Sequence, residues 1–303
     1  MVEFYARMST SQSSHTVGRF APSPTGPLHL GSLVAAAGSW LFARRANGRW
    51  LVRIEDIDTP RVVRGSAEEI LAALQRYGLE WDGEIVWQSQ RLPLYRDALQ
   101  RLRERGLVYD CACSRREIDG EAVYPGTCRP GIAAGKQARA LRFMVPEETI
   151  AFDDLVHGHL EEHVARETGD FVIRRADGLF AYQLVVVVDD GEQGVTQVVR
   201  GGDLLTSTAR QIALQRALQL PVPEYAHLPL VVGADGAKLG KRDGALPLPS
   251  LDERRVRETL AVALRILGMH VEPAEPRAML KEALRQFDAA RIGTAPVQIA
   301  GEP

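Results

Sequence analysis

A loop near the start of the chain contains the residue types that bind nucleotide phosphates. Residues 19–32 read RFAPSPTGPLHLGS and lead into a segment with helical spacing of apolar residues. A loop that enters a helix presents free backbone N–H groups and the positive end of the helix dipole to an anion. His29 could donate to a phosphate, and Gly31 would let a flat base approach the backbone closely. By itself, such a loop is more often an ordinary strand-to-helix connection whose prolines set its turn.

A second candidate phosphate loop lies much later in the chain. Residues 238–242 read KLGKR and follow the apolar run LPLV at 228–231. A loop of lysine and glycine is most often solvated surface, but lysines can also place positive charge against phosphates during a reaction. Lys238 and Lys241 are therefore candidate phosphate ligands.

Together the two loops resemble the paired signatures of the class I aminoacyl-tRNA synthetases. The first is similar to the HIGH signature of the glutamyl and glutaminyl branch, with Ser32 in place of the final histidine. The second is similar to the KMSKS signature, with Gly240 in place of the serine. The resemblance implies an α/β fold built on a Rossmann-type parallel sheet, and ATP bound together with Mg²⁺. The residues it assigns to ATP are His29, Gly31, Lys238 and Lys241, with His29 and Lys241 as the catalytic pair.

The stretches between these loops extend the resemblance to the glutamyl enzymes and imply the amino acid. The similar stretches are 53–61, 171–178, 182–190 and 199–204, so the resemblance runs from residue 17 to about 245. It places Arg19 and Arg200 at the carboxylates of glutamate. It places Ser23, Glu55 and Tyr182 at the amino group and backbone end. The residue types suit this ligand, because guanidinium groups bind carboxylates in a forked geometry and a carboxylate can hold an ammonium group.

The acidic residues beside Glu55 have a simpler interpretation. If this segment is a strand, Glu55 faces one side while Asp56 and Asp58 face the other. Only one set can line a given pocket, so we expect Asp56 and Asp58 to pair with Arg53 or Arg61.

All three cysteines lie close together, at Cys111, Cys113 and Cys128. Their number is odd and the chain shows no secretory signal, so a disulfide framework is not expected. Three thiolates can share a tetrahedral Zn²⁺ ion, with reduced structural thiols as the alternative. The fourth ligand could be a water molecule or one of the side chains of Asp110, Glu121 and Tyr124.

The cysteine pattern also carries a resemblance. C-x-C followed by Y-x-x-x-C is similar to the zinc site of the glutamyl-queuosine tRNA(Asp) synthetases, which implies Tyr124 as the fourth ligand of one structural zinc ion. A second group, His157, His159 and His163, would not clearly converge on a strand and a turn. We interpret these histidines as solvated side chains.

The elements that must position these residues follow from apolar periodicity. Predicted strands lie at 17–22, 50–54, 171–175, 181–188 and 195–199. Predicted helices lie at 30–46, 66–77, 92–105, 203–218, 251–267 and 276–287. The unbroken apolar run at 184–188 is typical of a strand buried on both faces, and Ser66 with Glu69 fits a capping box. This order predicts a parallel α/β sheet with a helical tail.

The predicted organisation has five segments. They are a flexible leader at 1–16, the first half of the catalytic domain at 17–110, a zinc-binding insertion at 111–170, the second half at 171–235, and the KMSKS-like loop with a helical stem-contact region at 236–303. The leader lacks the apolar middle of a secretory signal, and no apolar run approaches the roughly 20 residues that span a bilayer. The sequence therefore indicates a cytoplasmic protein, and we expect a monomer.

Bulk charge limits how RNA can be bound. The 303 residues carry a net charge of −2, so the chain as a whole is not a polycation. An RNA partner must therefore be held by local basic patches.

The number of residues after the second loop affects which acceptor of the glutamyl group we expect. About sixty residues follow Arg242, so we expect no anticodon-binding domain of the kind that full-length glutamyl-tRNA synthetases carry. With the Cys/Tyr pattern, this resembles the glutamyl-queuosine tRNA(Asp) synthetases. The resemblance implies tRNA-independent activation of L-glutamate to glutamyl-adenylate, and transfer to queuosine in the anticodon stem-loop of tRNA(Asp).

Two other functions are alternatives. One is an enzyme that supplies activated glutamate to another acceptor, and the other is an inactive RNA-binding paralogue. The presence of His29, Glu55, Arg200 and Lys241 argues against the inactive form.

Overall fold

The computed structural model describes residues 15–118, 123–233, 236 and 248–299. The strands are β1 (Val17–Phe20), β2 (Arg49–Ile54), β3 (Val86–Trp87), β4 (Val108–Cys111), β5 (Ala140–Phe143), β6 (Thr149–Asp154), β7 (Gly158–His163), β8 (Phe171–Arg174), β9 (Gln197–Gly201), β10 (Glu224–Leu228), β11 (Val231–Val232) and β12 (Val297–Gln298). The helices are α1 (Leu30–Arg45), α2 (Ser66–Arg76), α3 (Leu92–Glu104), α4 (Val164–Glu167), α5 (Tyr182–Glu192), α6 (Thr208–Leu218), α7 (Glu253–Ile266) and α8 (Pro276–Gln286).

A seven-stranded sheet in the order β3-β2-β1-β9-β10-β6-β7 forms the framework. Its strands pair in parallel, except that β7 runs antiparallel to β6. The predicted parallel α/β sheet is therefore confirmed. The neighbours of β1 are β2 on one side and the much later β9 on the other, so the strand order reverses at β1. Open α/β sheets bind ligands at such switch points, outside the carboxyl ends of the strands.

The strands of segment 111–170 and the two strands that flank it, β4 and β8, divide between two sheets. β4, β5 and β8 form a separate three-stranded antiparallel sheet. β6 and β7 instead extend the main sheet beyond β10. The segment therefore carries the cysteines on one sheet and supplies a strand next to β10 on the other.

Helix α1 is buried along most of its length and lies over β1 and β9, with α7 packed against it. Small residues allow this close packing on several sides. A Cβ atom added at Gly38 would lie 2.5 Å from Leu228 Cδ1, so a larger residue would force Leu228 or the helix to shift. The position of the N-terminal end of α1 is thereby fixed relative to the ends of the strands.

The predicted strand at 181–188 is wrong, because these residues belong to α5 and the turn before it. Leu184–Val188 is buried on all sides, and a short buried apolar run has the same composition in a helix as in a strand. The β-branched valines favour a strand only weakly, and tertiary packing overrides that preference. As a result, Asp189 and Asp190 continue the helix into the interior.

Three smaller predictions also need correction. Ser66 is the first residue of α2 rather than its cap, and its Oγ donates to the backbone oxygen of Gly26 at 2.8 Å. β2 ends at Ile54, so the acidic residues after it lie in a loop and not on a strand. The helix predicted at 203–218 begins only at Thr208, after a 3-10 turn. The other predicted helices and strands are confirmed to within a few residues.

No helix within the described ranges is long and apolar enough to cross a membrane.

Candidate active site

A cavity of about 490 Å³ lies where β1 and β9 end and α1 begins. Seven of the predicted substrate and nucleotide residues line it together. They are Arg19, Ser23, His29, Gly31, Glu55, Tyr182 and Arg200. Lys238 and Lys241 lie outside the described residues. The cavity therefore brings together residues that are up to 181 positions apart in the chain, from Arg19 to Arg200.

Arg19 is held by a buried carboxylate. Its Nε donates to Asp190 Oδ1 at 3.2 Å, and Nη1 donates to the backbone oxygen of Val199 at 3.4 Å. Asp190 Oδ1 also accepts from Arg53 Nη1 at 2.7 Å. Burial alone would raise the pKa of Asp190, but Arg19 and Arg53 outweigh it and lower that pKa. Asp190 is therefore an anion that compensates the positive charge on Arg19.

Arg53 is fully buried and connects this pair to Glu55. Its Nη2 donates to Glu55 Oε1 at 3.1 Å, and its Nε lies 3.7 Å from Asp189 Oδ2. Burial opposes the charge on Arg53, yet Asp190, Glu55 and Asp189 raise its pKa above the ordinary value. Of the two arginines predicted to pair with Asp56 or Asp58, Arg53 is therefore not the partner, whereas Arg61 lies 3.6 Å from Asp58 Oδ2.

Two residues that the sequence did not single out, Asp189 and Asp190, are the counter-ions of this part of the site. Asp189 accepts from Arg91 Nε at 2.6 Å and from Gln88 Nε2 at 2.8 Å. The available signal was a pair of acids directly after an apolar run, because buried carboxylates need buried cations. A strand predicted at 181–188 gives no reason to expect these two acids in the interior.

Arg200 has a different set of partners, and all of them are neutral acceptors. Its Nε donates to His227 Nε2 at 3.0 Å and its Nη1 to Gln211 Oε1 at 2.7 Å. Its Nη2 donates to Thr208 Oγ1 at 2.9 Å and to the backbone oxygen of Leu204 at 3.3 Å. Within the described part of the chain, Arg200 forms no ion pair with a carboxylate. Its charge is therefore oriented but not neutralised by a direct partner.

His227 helps to fix the orientation of Arg200 by accepting from its Nε. Its Nδ1 lies 2.6 Å from Asp154 Oδ2, and both side chains are fully buried. Burial, together with the nearby Arg200, lowers the pKa of His227 even though Asp154 acts in the opposite direction. A neutral ring that accepts at Nε2 carries its proton on Nδ1, facing Asp154. The sequence patterns did not single out His227 or Asp154. The feature that could have indicated them is a polar side chain at the end of an otherwise apolar strand.

Glu55, in the loop after β2, and Tyr182, the first residue of α5, both line the cavity. The backbone N–H of Glu55 donates to Pro22 O at 2.9 Å, which ties the end of β2 to the proline loop. Burial raises the pKa of the Glu55 carboxyl, and Arg53 opposes the change. Burial also raises the pKa of Tyr182, so its phenol is a neutral hydrogen-bond donor. Ser23 lies exposed on the proline loop.

His29 is the N-cap of α1, and its Nδ1 accepts from the backbone N–H of Ser32 at 3.4 Å. That hydrogen bond places the proton of the neutral ring on Nε2. A Cβ atom at Gly31 would lie 3.2 Å from the His29 ring, so glycine provides the space that the ring occupies. The helix N-terminus and the imidazole together can bind an anion such as a phosphate.

The three cysteines converge at the end of β4. Their Sγ atoms all lie within 4.8 Å of one another, with Cys113 and Cys128 at 3.6 Å. Four Zn–S bonds of about 2.3 Å in a tetrahedron place the sulfurs about 3.8 Å apart. The thiols form no disulfide, and their spacing fits a single tetrahedral metal ion.

Tyr124 is the predicted fourth ligand, and its hydroxyl lies 3.5 Å from the sulfurs of both Cys111 and Cys113. Arg142 contributes positive charge, since its Nε donates to Cys111 Sγ at 3.3 Å and its guanidinium lies over the Tyr124 ring. Burial alone would raise the pKa of Cys111, but hydrogen bonds from Tyr124 and Arg142 lower it to about 7. Asp110, an alternative ligand, is exposed and pairs with Arg103 at 3.4 Å; Glu121 lies outside the described residues.

The histidines at 157, 159 and 163 differ in their surroundings. His159 is exposed and lies 2.8 Å from Asp153 and 3.2 Å from Glu161. His157 and His163 are half-buried, and each has one ring nitrogen that is buried without a hydrogen-bond partner. The prediction of solvated side chains is therefore correct for His159 and wrong for the other two.

Comparisons with known proteins agree with this geometry. The family described as tRNA synthetases class I (E and Q), catalytic domain, matches residues 15–123 and 128–297. A protein of Aromatoleum aromaticum named glutamyl-Q tRNA(Asp) synthetase is 55% identical over 88% of this chain and 85% of the relative. A protein of the same name from Thiobacillus denitrificans is 52% identical over 93% of this chain and 96% of the relative. This chain belongs to the glutamyl-Q tRNA(Asp) synthetase family of class I synthetases.

A solved structure supports the same assignment of the fold. The glutamate-tRNA synthetase of Elizabethkingia anophelis superposes with a TM-score of 0.77 at 25% identity, covering 95% of this chain and 69% of that one. The chain is accordingly a ligase-type enzyme with a class I synthetase fold, and the family relationship implies ATP, glutamate and tRNA as partners. The resemblance on which the sequence prediction depended is confirmed.

Proposed function

We propose that this enzyme activates L-glutamate with ATP in the absence of RNA, and then transfers the glutamyl group to queuosine in the anticodon stem-loop of tRNA(Asp). The observation that carries the proposal is Arg200, a buried cation oriented by neutral groups alone in a cavity that also contains Glu55 and the N-terminus of α1. An amino acid with two carboxylates and one ammonium group complements this arrangement. The names of the relatives support queuosine in tRNA(Asp) as the acceptor.

In the first step, one carboxylate of glutamate binds to Arg200 and the ammonium group to Glu55. Arg19 binds the other carboxylate, and Ser23 and Tyr182 help to hold the amino group and backbone end. The α-carboxylate then attacks the α-phosphate of ATP in line, and pyrophosphate leaves. No protein nucleophile is required, since positioning and charge stabilisation lower the barrier.

The nucleotide half of the reaction depends on the first loop and on the lysine loop. His29 Nε2–H and the free N–H groups of α1 stabilise the phosphate oxygens as charge develops. Lys238 and Lys241 place positive charge against the β- and γ-phosphates. Mg²⁺ bound together with ATP would supply further positive charge to stabilise the phosphates.

In the second step, a hydroxyl group of the queuosine ring attacks the activated carbonyl of glutamyl-adenylate. The ester forms, the mixed anhydride bond breaks, and AMP leaves with the bonding electrons. The RNA must then reach a cavity that already contains glutamyl-adenylate, so an RNA-binding surface near the cavity is required.

A basic groove of about 250 Å³ supports an RNA partner. Three arginines line it, and its lining contains no carboxylate. They are Arg96, Arg103 and Arg174, from α3 and the end of β8. Arg96 makes no hydrogen bond or ion pair within the described ranges. Despite the net charge of −2, this groove is the kind of local patch that RNA phosphates require.

We further propose that Cys111, Cys113, Cys128 and Tyr124 hold one structural zinc ion. The convergence of three sulfurs and a phenol oxygen supports this ligand set. The ion would join β4 to the turn that carries Tyr124 and Cys128, and so stiffen a segment with little apolar core. Zinc content measured on the purified protein should be close to one per chain and should be lost in Cys128→Ser. A full complement of zinc in that variant would contradict the assignment.

The acceptor is tested with radiolabelled glutamate and two preparations of tRNA, from cells with and without queuosine. We expect label on tRNA(Asp) only in the preparation that contains queuosine. Equal label on queuosine-free tRNA would favour an acceptor elsewhere on the RNA. Absence of label on both, with adenylate still formed, would favour an acceptor other than tRNA.

A further inference from the structure

A second cavity, of about 280 Å³, lies directly beside the first. The two cavities share part of their walls. The shared residues are Ser23, Thr25, Glu55, Arg61 and Tyr182. A molecule in the second cavity would therefore lie against the same residues that face glutamate in the first. None of the steps that form the adenylate uses this second cavity.

Gln88 is a fully buried residue in its wall, and one of its polar atoms has no partner. Its Nε2 donates to Asp189 Oδ2 at 2.8 Å, so the carboxylate fixes which end of the amide is the donor. Its Oε1 is buried and accepts no hydrogen bond. Buried polar atoms without partners are rare because leaving them unpaired is costly. Gln88 Oε1 is therefore available to accept a hydrogen bond from a ligand.

Asp58 provides a second unpartnered acceptor in the same wall. Its Oδ2 lies 3.2 Å from Arg175 Nη1 and 3.6 Å from Arg61 Nη1, which confirms the predicted pairing with Arg61. Its Oδ1 is buried and accepts no hydrogen bond. The arginines therefore fix the carboxylate by one oxygen and leave the other for a ligand.

The remaining wall is largely apolar, with Ile57, Phe180 and Val185 among its residues. Phe180 also lines the basic groove that contains Arg96 and Arg174. The second cavity is therefore flanked by the glutamate pocket on one side and by a surface suited to RNA phosphates on the other. A ligand that fits this cavity must be compact and partly apolar, and it must carry hydrogen-bond donors.

We propose that the second cavity binds the hydroxyl- or amine-bearing ring of the acceptor nucleotide, with Gln88 Oε1 and Asp58 Oδ1 accepting from that ring. This inference rests on the proposed function, because it presumes an RNA acceptor. The bound hydroxyl oxygen forms the ester bond to the glutamyl carbonyl carbon. The carbonyl–phosphate bond breaks, and AMP leaves with the electron pair and takes up the hydroxyl proton. Gln88 and Asp58 select and position the acceptor and do not form the adenylate.

The test compares Asp58→Asn and Gln88→Met with a matched control, Asp177→Asn. Asp177 pairs with the same Arg175, at 2.6 Å, but does not line the cavity. Two rates are measured for each protein: pyrophosphate exchange without RNA, and single-turnover transfer from preformed adenylate to tRNA(Asp) carrying queuosine. We expect transfer to fall about tenfold in each cavity variant, because a hydrogen bond from the acceptor ring to a charged or buried oxygen is lost. Exchange should stay near that of the control, because neither side chain lines the first cavity.

The outcomes separate this inference from the proposed function. If the unsubstituted protein transfers glutamate to the RNA and both cavity variants transfer as fast as Asp177→Asn, the second cavity does not bind the acceptor. If the unsubstituted protein forms adenylate but never labels the RNA, the proposed function itself fails. Should Gln88→Met lose exchange as well, through a folding defect, Asp58→Asn decides alone, because Asp58 is partly exposed.

Discussion

Arg19 and Arg200 lie near the ends of two adjacent parallel strands and line the same cavity, yet their partners differ in kind. Arg19 belongs to a cluster with buried carboxylates, which we name the paired side. Its members are Arg19, Arg53, Glu55, Asp189 and Asp190. Arg200 belongs to a cluster in which every direct partner is neutral, which we name the open side. Its members are Arg200, Thr208, Gln211, His227 and Asp154.

The difference is that, among the described residues, the pocket contains one cation with a buried carboxylate partner, Arg19, and one cation whose direct partners are neutral, Arg200. On the paired side, opposite charges compensate one another, so removing one member would leave a buried charge without a partner. On the open side, Asp154 acts on Arg200 only through His227. A ligand carboxylate can then supply the direct counter-charge that no residue of the described ranges gives to Arg200. The family resemblance gives the two arginines the same role, but their direct partners differ.

Removing Arg53 should break the paired side and have the largest effect on stability. In Arg53→Leu, Asp189 and Asp190 lose a fully buried counter-ion, so we expect the free energy of unfolding to fall by about 3–5 kcal/mol. Urea unfolding measures the change. Arg285→Leu, which removes an exposed partner of Glu282, should change stability by less than about 0.5 kcal/mol. Similar values for the two variants would show that the paired side is not a charge-compensated core.

Removing Arg200 should affect binding more than folding. Arg200→Leu takes away the cation that we assign to a glutamate carboxylate, so KM for glutamate in pyrophosphate exchange should rise about 10- to 100-fold. The expected loss of stability is smaller than for Arg53→Leu, since only neutral acceptors lose a partner. An unchanged KM for glutamate would contradict the role of the open side.

His227 on the open side should make the stability of the protein depend on pH. The fold lowers the pKa of His227, so as pH falls below about 6.5 the unfolded chain takes up a proton before the folded one does. The stability that neutral His227 contributes is therefore present above pH 6.5 and lost below it, at no more than about 1.4 kcal/mol per pH unit. Urea unfolding from about pH 7.5 to 5.5 should show a shallower dependence in His227→Gln. Equal slopes in both proteins would mean that the histidine is not held neutral.

The basic groove should give the smallest effect, on RNA affinity alone. Arg96→Glu and Arg174→Glu each remove one potential phosphate contact, so binding of tRNA(Asp) should weaken a few-fold and the salt dependence should become shallower by about one unit per lost contact. Arg285→Glu, on α8, makes the same charge change away from the groove. If all three variants bind RNA alike, the groove is not the contact surface.

Much of the site was predictable from the sequence. Arg19, His29 and Glu55 lie in continuous motifs at the ends of predicted strands, and the ends of parallel strands meet at one edge of the sheet. The order of these elements therefore placed the motif residues together without any knowledge of side-chain contacts.

The partners of these residues were not predictable in the same way. Asp190 lies 171 positions from Arg19, and Asp154 lies 73 positions from His227. Such pairs depend on strand order and on the depth at which α5 is buried, and no local pattern encodes either. The wrong assignment of 181–188 as a strand has the same origin, because a fully buried segment loses the periodicity that distinguishes a helix from a strand.

Formation of glutamyl-adenylate from free glutamate can be measured directly, as exchange of labelled pyrophosphate into ATP by the purified protein in the absence of RNA. An uncompensated Arg200 beside Glu55 predicts that L-glutamate supports exchange, and that glutamine, whose side-chain amide carries no charge, supports far less. Exchange that requires tRNA, or that proceeds equally well with glutamine, would contradict the proposed function.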